Sequence, residues 1–424
     1  MRHKLPAILK HFQVIGGDLS IGGVRASTLA NSFGTPLYIY DAATIKQYCS
    51  SVAHSLSQFL IAYSIKANPS LGICKLLHSI GCWAEVASGG ELFIAKESGF
   101  PASHTIFDGP AKQEWELRQA CNSQLSILNA ESYRELDVLV RLSSEGLSCP
   151  SVCLRVNTHD SAASAGEQMV GGPSRFGFDE ELLPDVIGRY RSKLNIVGLH
   201  VYAGSQILKT DEIVANFERA FSLFGQSCRI MGKKFTTLVF GGGFGIPNND
   251  NEPLLNLKEV SAGVAQIIER DHRTAPARLI IELGRYLVAA AGVFVTRVVD
   301  VKKSRGTIFV LTDGGINNFL RPAFLKVAHP VFALGKLDTP VNITTHIGGP
   351  LCTPLDEYAQ ALKTPPVKVG DLIGIFNAGA YGFSMSFHPF LSHLSPAEIL
   401  VDKGKANLLR RHGKLSDLVR DQKK

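Results

Sequence analysis

Lys66 stands at the end of Leu60-Ile61-Ala62-Tyr63-Ser64-Ile65, where an apolar strand pattern stops at a lysine. A poorly hydrated amine in such a place loses basicity and becomes a nucleophile. It is then suited to forming a Schiff base with a carbonyl cofactor. A snorkelling surface lysine would give the same local pattern, so the rest of the chain has to decide. Glu282 closes another apolar run, Leu279-Ile280-Ile281. A carboxylate there needs a partner, either a protonated ring nitrogen or an ion pair with Arg285. His200 ends a third run, where its flat ring could stack on an aromatic cofactor or serve as a satisfied core histidine. Gly241-Gly242-Gly243-Phe244-Gly245 offers bare backbone N–H groups to a phosphate. The same loop could be only a tight turn, and it matches neither the dinucleotide fingerprint nor the Walker loop. Ser205 could add a hydroxyl donor. Cys352 follows the turn Gly348-Gly349-Pro350 and could move a proton near neutrality, given a base or cation nearby. The other seven cysteines read as small buried hydrophobes.

The elements needed to gather these groups are visible as short β-type runs at 59–65, 83–87, 104–108, 125–129, 151–157, 195–201, 236–240 and 278–282, with helical patterns between them. Apolar strands alternating with helices imply a parallel sheet covered on both faces. Eight such units imply an α/β fold, a closed (β/α)8 barrel, whose chemistry lies on the loops after the strands. Lys66, Ser88-Gly89-Gly90-Glu91, Asp108, Arg155 with Asn157, His200 with Ser205, the 241–245 loop and Glu282 with Arg285 all fall there. The expected division is a barrel over 40–290, an all-β domain over 291–424, and an N-terminal segment, 1–39, joining that β domain. In the β domain, 293–301, 307–312, 341–347 and 371–376 read as strands. A hairpin is expected over 14–23, turning at Gly16-Gly17-Asp18.

Composition excludes several classes. The chain has 424 residues, is 45% hydrophobic and 19% charged, and is long enough for two domains. No apolar run reaches membrane-span length, and the opening residues lack the apolar stretch of a secretory signal. The formal charge of +7 is spread out, and the basic tail from Lys403 to Lys424 reads as a solvated terminus rather than a nucleic-acid site. The eight cysteines hold no Cys-x-x-Cys pair. Neither a metal site nor a disulfide framework is therefore expected, and free thiols suit the cytoplasm.

Taken together and in order, these motifs resemble the fold-type III pyridoxal 5'-phosphate (PLP) decarboxylases, the diaminopimelate and ornithine decarboxylase family. The resemblance also uses Asp313-Gly314-Gly315, Arg321-Pro322, Gly349-Pro350-x-Cys352 and Gly379-Ala380-Tyr381-Gly382. It implies that Lys66 carries PLP, His200 stacks on its ring and Glu282 pairs with the pyridine nitrogen. Ser205, Gly242, Gly243, Arg285 and Tyr381 would surround the phosphate or its neighbourhood. Cys352 would come from the partner subunit of a homodimer and return a proton after CO2 leaves, with Arg321, Thr353 and Asp356 near the substrate. Relatives acting on diamino acids place an acid directly after the cysteine, where this chain has Thr353. Diaminopimelate decarboxylases place a tyrosine three residues after the Arg-Pro proline, where this chain has Leu325. The usual aspartate before Val-x-Ser is Glu85 here. Cys352-Thr353-Pro354, 172–177 and 390–399 look more like a branch acting on aminoacyl conjugates in siderophore, antibiotic and exosortase-associated pathways. The expected activity is therefore α-decarboxylation of a small-molecule or carrier-linked amino acid with no distal ammonium. Diaminopimelate decarboxylation, racemisation and a catalytically silent PLP-binding homologue are the alternatives.

Overall fold

The computed structural model describes residues 6, 9–159, 172–202, 204–232, 234–271 and 276–423. The extreme N-terminus and Lys424 of the basic tail lie outside the described residues. The chain forms two compact units: Tyr48–Ile246 with Pro253–Leu287, and Met1–Gln47 with Pro247–Glu252 and Val288–Lys424.

The first unit is the barrel. Its strands are β1 Phe59–Ser64, β2 Trp83–Val86, β3 Thr105–Phe107, β4 Ile127–Ala130, β5 Ser151–Asn157, β6 Ile196–Tyr202, β7 Thr237–Gly241 and β8 Arg278–Leu283. Neighbours pair in parallel around the ring, and β8 pairs with β1 to close it. All eight expected runs therefore become barrel strands. Ala62, Ile106, Ile127, Cys153, Val239 and Ile280 pack together inside it as one apolar layer.

A strand repeats its facing every two residues, so the position two beyond each of these points inward too, nearer the C-terminal rim. Those positions are Ser64, Asp108, Asn129, Arg155, Gly241 and Glu282; Glu85 stands likewise two beyond Trp83. An apolar floor thus carries a polar layer. On β6 the phase is kept by a register shift between Ile196 and Gly198 against β5. The extra residue lets both Val197 and His200 face inward.

The second unit is β-rich. The strand Gly292–Ser304 is its spine, pairing antiparallel with Thr307–Thr312, Leu372–Phe376 and Leu37–Asp41. Leu37–Asp41 also pairs in parallel with Ala397–Asp402. The hairpin is present: Ile15 pairs with Asp18 across Gly16-Gly17, both at positive φ, as a two-residue turn of this hand requires. Leu19 and Ile21 join Leu37, Ile39, Val293 and Ile399 in this unit's core.

Candidate active site

Lys66 lies in a single 3-10 turn, Ile65–Ala67, directly after β1. Its Nζ is 2.9 Å from Oε1 of Glu85, the inward carboxylate near the end of β2. Glu85 is wholly buried. Burial pushes its carboxyl up to about 7, against the pull of Lys66 and with added repulsion from Glu282 and Asp108. Its second oxygen, Oε2, has no hydrogen-bond partner among the described residues.

Across the barrel, Nε2 of His200 is 3.1 Å from Oε2 of Glu282, and Nδ1 is 3.5 Å from Oδ1 of Asp108. Burial works against a charge on the fully enclosed imidazole, but the two carboxylates outweigh it and its pKa rises. Asn129 Nδ2 reaches Glu282 Oε1 at 3.4 Å. Arg155 donates to Glu131 Oε1 at 2.8 Å and lies 3.4 Å from Asp108. Burial alone would raise the Asp108 carboxyl, yet Arg155, His200 and Lys66 hold it well below the ordinary range. The donor atoms of Asp108, His200 and Glu282 all lie within 4.8 Å of one another. That spacing could surround a cation, but His200 Nε2 already bonds Glu282 at 3.1 Å, while Nδ1 only approaches Asp108.

Further along the rim, Arg285 Nη2 donates to Ser205 Oγ at 3.3 Å. Arg285 therefore meets Ser205 rather than forming the ion pair with Glu282 that their spacing also allowed. The glycine loop stays close to its neighbours. A Cβ on Gly242 would come 2.5 Å from Leu283, and one on Gly243, where φ is +65°, would come 2.3 Å from the Gly204 carbonyl oxygen. The Gly242 N–H already donates to the Glu282 carbonyl at 3.0 Å, so it is the backbone at Gly243, with the Arg285 guanidinium and the Ser205 hydroxyl, that makes a cradle for an anion such as phosphate. Ala203, within the expected His200–Ser205 motif, lies outside the described residues. Ser88 and Glu91, by contrast, cap the helix Gly89–Glu97: Ser88 Oγ accepts from Glu91 N–H at 3.1 Å, and Glu91 Oε2 accepts from Ala87 N–H at 2.8 Å.

Sequence reasoning gave no role to Lys112, which is buried after β3. Its Nζ donates to the Gly109 and Asn129 carbonyls at 2.7 Å each and pairs with Glu135 at 3.1 Å. It clamps the β3 and β4 ends that present Asp108 and Asn129. The only hint was a lysine just beyond the Gly109-Pro110 turn.

Arg321, Cys352, Thr353, Asp356 and Tyr381 belong to the β-rich unit. Cys352 is exposed. Arg321 is buried at the start of the short helix Arg321–Leu325, its guanidinium 5.7 Å from the Tyr381 ring. Asp356, expected near the substrate, gives one oxygen to the Ile316 N–H and the other to the Leu351 N–H, both at 2.7 Å. Its carboxylate braces the loop that carries Cys352. Thr353 Oγ1 accepts from the Leu355 N–H at 3.3 Å.

Residues 42–289 match the family model described as pyridoxal-dependent decarboxylase, pyridoxal binding domain. The chain is 34% identical to the L-glutamyl-[BtrI acyl-carrier protein] decarboxylase of Niallia circulans, over 95% of this chain and 97% of that protein. It is 32% identical to the diaminopimelate decarboxylase of Aquifex aeolicus, over 93% of each. The crystal structure of diaminopimelate decarboxylase from M. jannaschii superposes with a TM-score of 0.92 at 27% identity, covering 98% of both chains.

Proposed function

The chain belongs to the pyridoxal-dependent decarboxylases, and from that premise we propose that it decarboxylates an aminoacyl conjugate whose distal end carries no free ammonium. The barrel residues fit the cofactor. Ser205, Gly243 and Arg285 would hold its phosphate, with Gly242 supplying only a close, side-chain-free approach; Lys66 would hold its carbonyl end and Glu282 its ring nitrogen, with His200 against the ring. When bound, PLP supplies a sink for the electron pair left as CO2 departs. The Glu282 carboxylate would pair with the ring nitrogen and favour its protonated form, because a carboxylate in an enclosed site favours a cation beside it. His200, held through Nε2 by Glu282, would limit movement of the ring. Cys352 gives a proton to the α-carbon after CO2 has left.

The observation that carries the substrate reading is the loop after Cys352. Thr353 stands at the position that faces a distal ammonium in diamino-acid relatives, and its hydroxyl is engaged by backbone. The loop's acid, Asp356, spends both oxygens on main-chain N–H groups. A buried ammonium without an acid is costly. The likeness to an enzyme named for a carrier-bound glutamyl substrate supports the same reading. A second reading, diaminopimelate decarboxylation, is supported by the likeness to enzymes of that name. A competition assay distinguishes the two. We expect higher kcat/KM for CO2 release from acidic or acyl-conjugated amino acids than from meso-diaminopimelate, ornithine or lysine. The opposite order would return the chain to the second reading.

We also propose a homodimer in the cytoplasm. Phe324, Leu355, Phe387, Phe390 and Leu391 are exposed apolar side chains on the unit that carries the exposed Cys352. A second copy would cover such a surface. No helix among the described residues is long and apolar enough to cross a membrane.

A further inference from the structure

We propose that Glu85 is the positioning residue for Lys66, holding its amine at the barrel mouth and exchanging with it the proton the amine must shed before it can bond a carbonyl. This rests on the reading of Lys66 as the residue that binds PLP. The geometry is direct: Glu85 Oε1 is 2.9 Å from Lys66 Nζ, on the adjacent strand. Glu85 is fully buried, whereas the lysine side chain is 37% exposed, so the acid is enclosed and the amine stands nearer solvent. A side chain that shifts between two bonding states needs a defined resting place, and this carboxylate provides it.

The exchange is balanced within the pair: Lys66–NH3+ and Glu85–COO− become Lys66–NH2 and Glu85–COOH. Nothing else is consumed. The surroundings narrow the gap between the two forms. Burial raises the Glu85 carboxyl to about 7, with Asp108 and Glu282 adding to the rise and Lys66 and Ser64 opposing it. Glu91, from the helix after β2, also faces Lys66 electrostatically. Behind Asp108 stand Arg155 and His200, which keep that acid ionised and unable to take the proton in place of Glu85. Glu85 Oε2 is buried and has no hydrogen-bond partner among the described residues, so a proton there displaces none of their bonds. The position carries an aspartate in the family pattern, and the additional methylene lengthens this chain's reach toward Nζ.

The test is uptake of PLP by the cofactor-stripped full chain, followed from pH 5.5 to 9 by absorbance and by borohydride trapping with mass spectrometry of the Lys66 peptide. Wild-type uptake should rise through an inflection near pH 7. Glu85→Gln, nearly isosteric, should lose that inflection and take up PLP at least tenfold more slowly at pH 7. Glu85→Asp should retain part of both the rate and the inflection. Each variant's thermal unfolding is measured in parallel. A Glu85→Gln protein that folds and shows the wild-type inflection, or a rate equal to or above wild type, would overturn the proposal while leaving the PLP reading intact. If Glu85→Gln does not fold, Glu85→Asp decides: a wild-type rate and profile overturn the proposal, and a slowed, shifted profile supports it. Wild-type protein that takes up no PLP on Lys66 overturns both.

Discussion

Asp108 is the residue where the balance of burial and charge is most lopsided. It is enclosed, yet Arg155, His200, Lys66 and Lys112 together keep its carboxyl below the ordinary 3.8. A group with a depressed folded pKa adds stability above its unfolded pKa and loses it as pH falls through the folded one. Asp108→Asn removes one of the two acids beside each of Arg155 and His200, which keep Glu131 and Glu282, so it should cost about 1–3 kcal/mol near neutrality. The gap to wild type should begin to close only as the pH falls below that ordinary value. Urea titrations at neutral pH and at pH 3 measure this, and a gap that stays constant would contradict it. Lys66→Ala should abolish both turnover and the borohydride-stable link to PLP, because the neighbouring residues of its turn, Ile65 and Ala67, carry no amine. A trapped adduct on another lysine would show that Lys66 is the wrong one.

At the scale of the elements, the barrel was legible because its strands are short apolar runs, each ending in a polar or glycine-rich group. That pattern follows from a closed interior with a dry floor and a reactive rim. Lys66, Glu282 and Arg285 could be placed from it directly. The facing of His200 could not, since it depends on one extra residue in β6, visible only in the register against β5. Nor could the Lys112–Glu135 clamp, whose partners are 23 residues apart on different units of the βα repeat. Leu37–Asp41 was missed as a strand because its partners, Gly292–Ser304 and Ala397–Asp402, are remote in sequence. Asp356 was legible as an acid near the cysteine, but its bonds to two N–H groups belong to the folded loop alone. The glycine loop offers a test at this scale. Gly243→Ala must place a Cβ at positive φ and 2.3 Å from the Gly204 carbonyl. The backbone of the anion cradle therefore has to move. PLP affinity should fall at least tenfold, while the far-ultraviolet circular dichroism of the barrel is unchanged. A wild-type Kd in an equilibrium titration would show that the loop does not hold the phosphate.

For the whole molecule, the proposed chemistry draws on two units: the barrel carries Lys66, His200 and Glu282, and the β-rich unit carries Cys352. The exposed thiol and the exposed apolar side chains of its unit are what a shared site between two copies would need. Such a site makes a prediction that a self-contained site does not. Cys352→Ala should bind PLP normally but turn over about a hundredfold more slowly, as expected for loss of a proton donor. Lys66→Ala should be inactive. In a dimer with one copy of each variant, one shared site has both wild-type residues and the other has neither. Random assembly makes half of the dimers mixed, so co-expression should restore about a quarter of wild-type activity in a two-fold symmetric assembly. If Lys66 and Cys352 of the same copy work together, each site in the mixed dimer keeps one defect and no activity returns. Recovery also requires that the mixed species be a dimer, which light scattering on the same sample establishes. Failure to recover activity in a confirmed mixed dimer would assign Cys352 to its own chain's barrel and remove the reason for the copies to pair around the site.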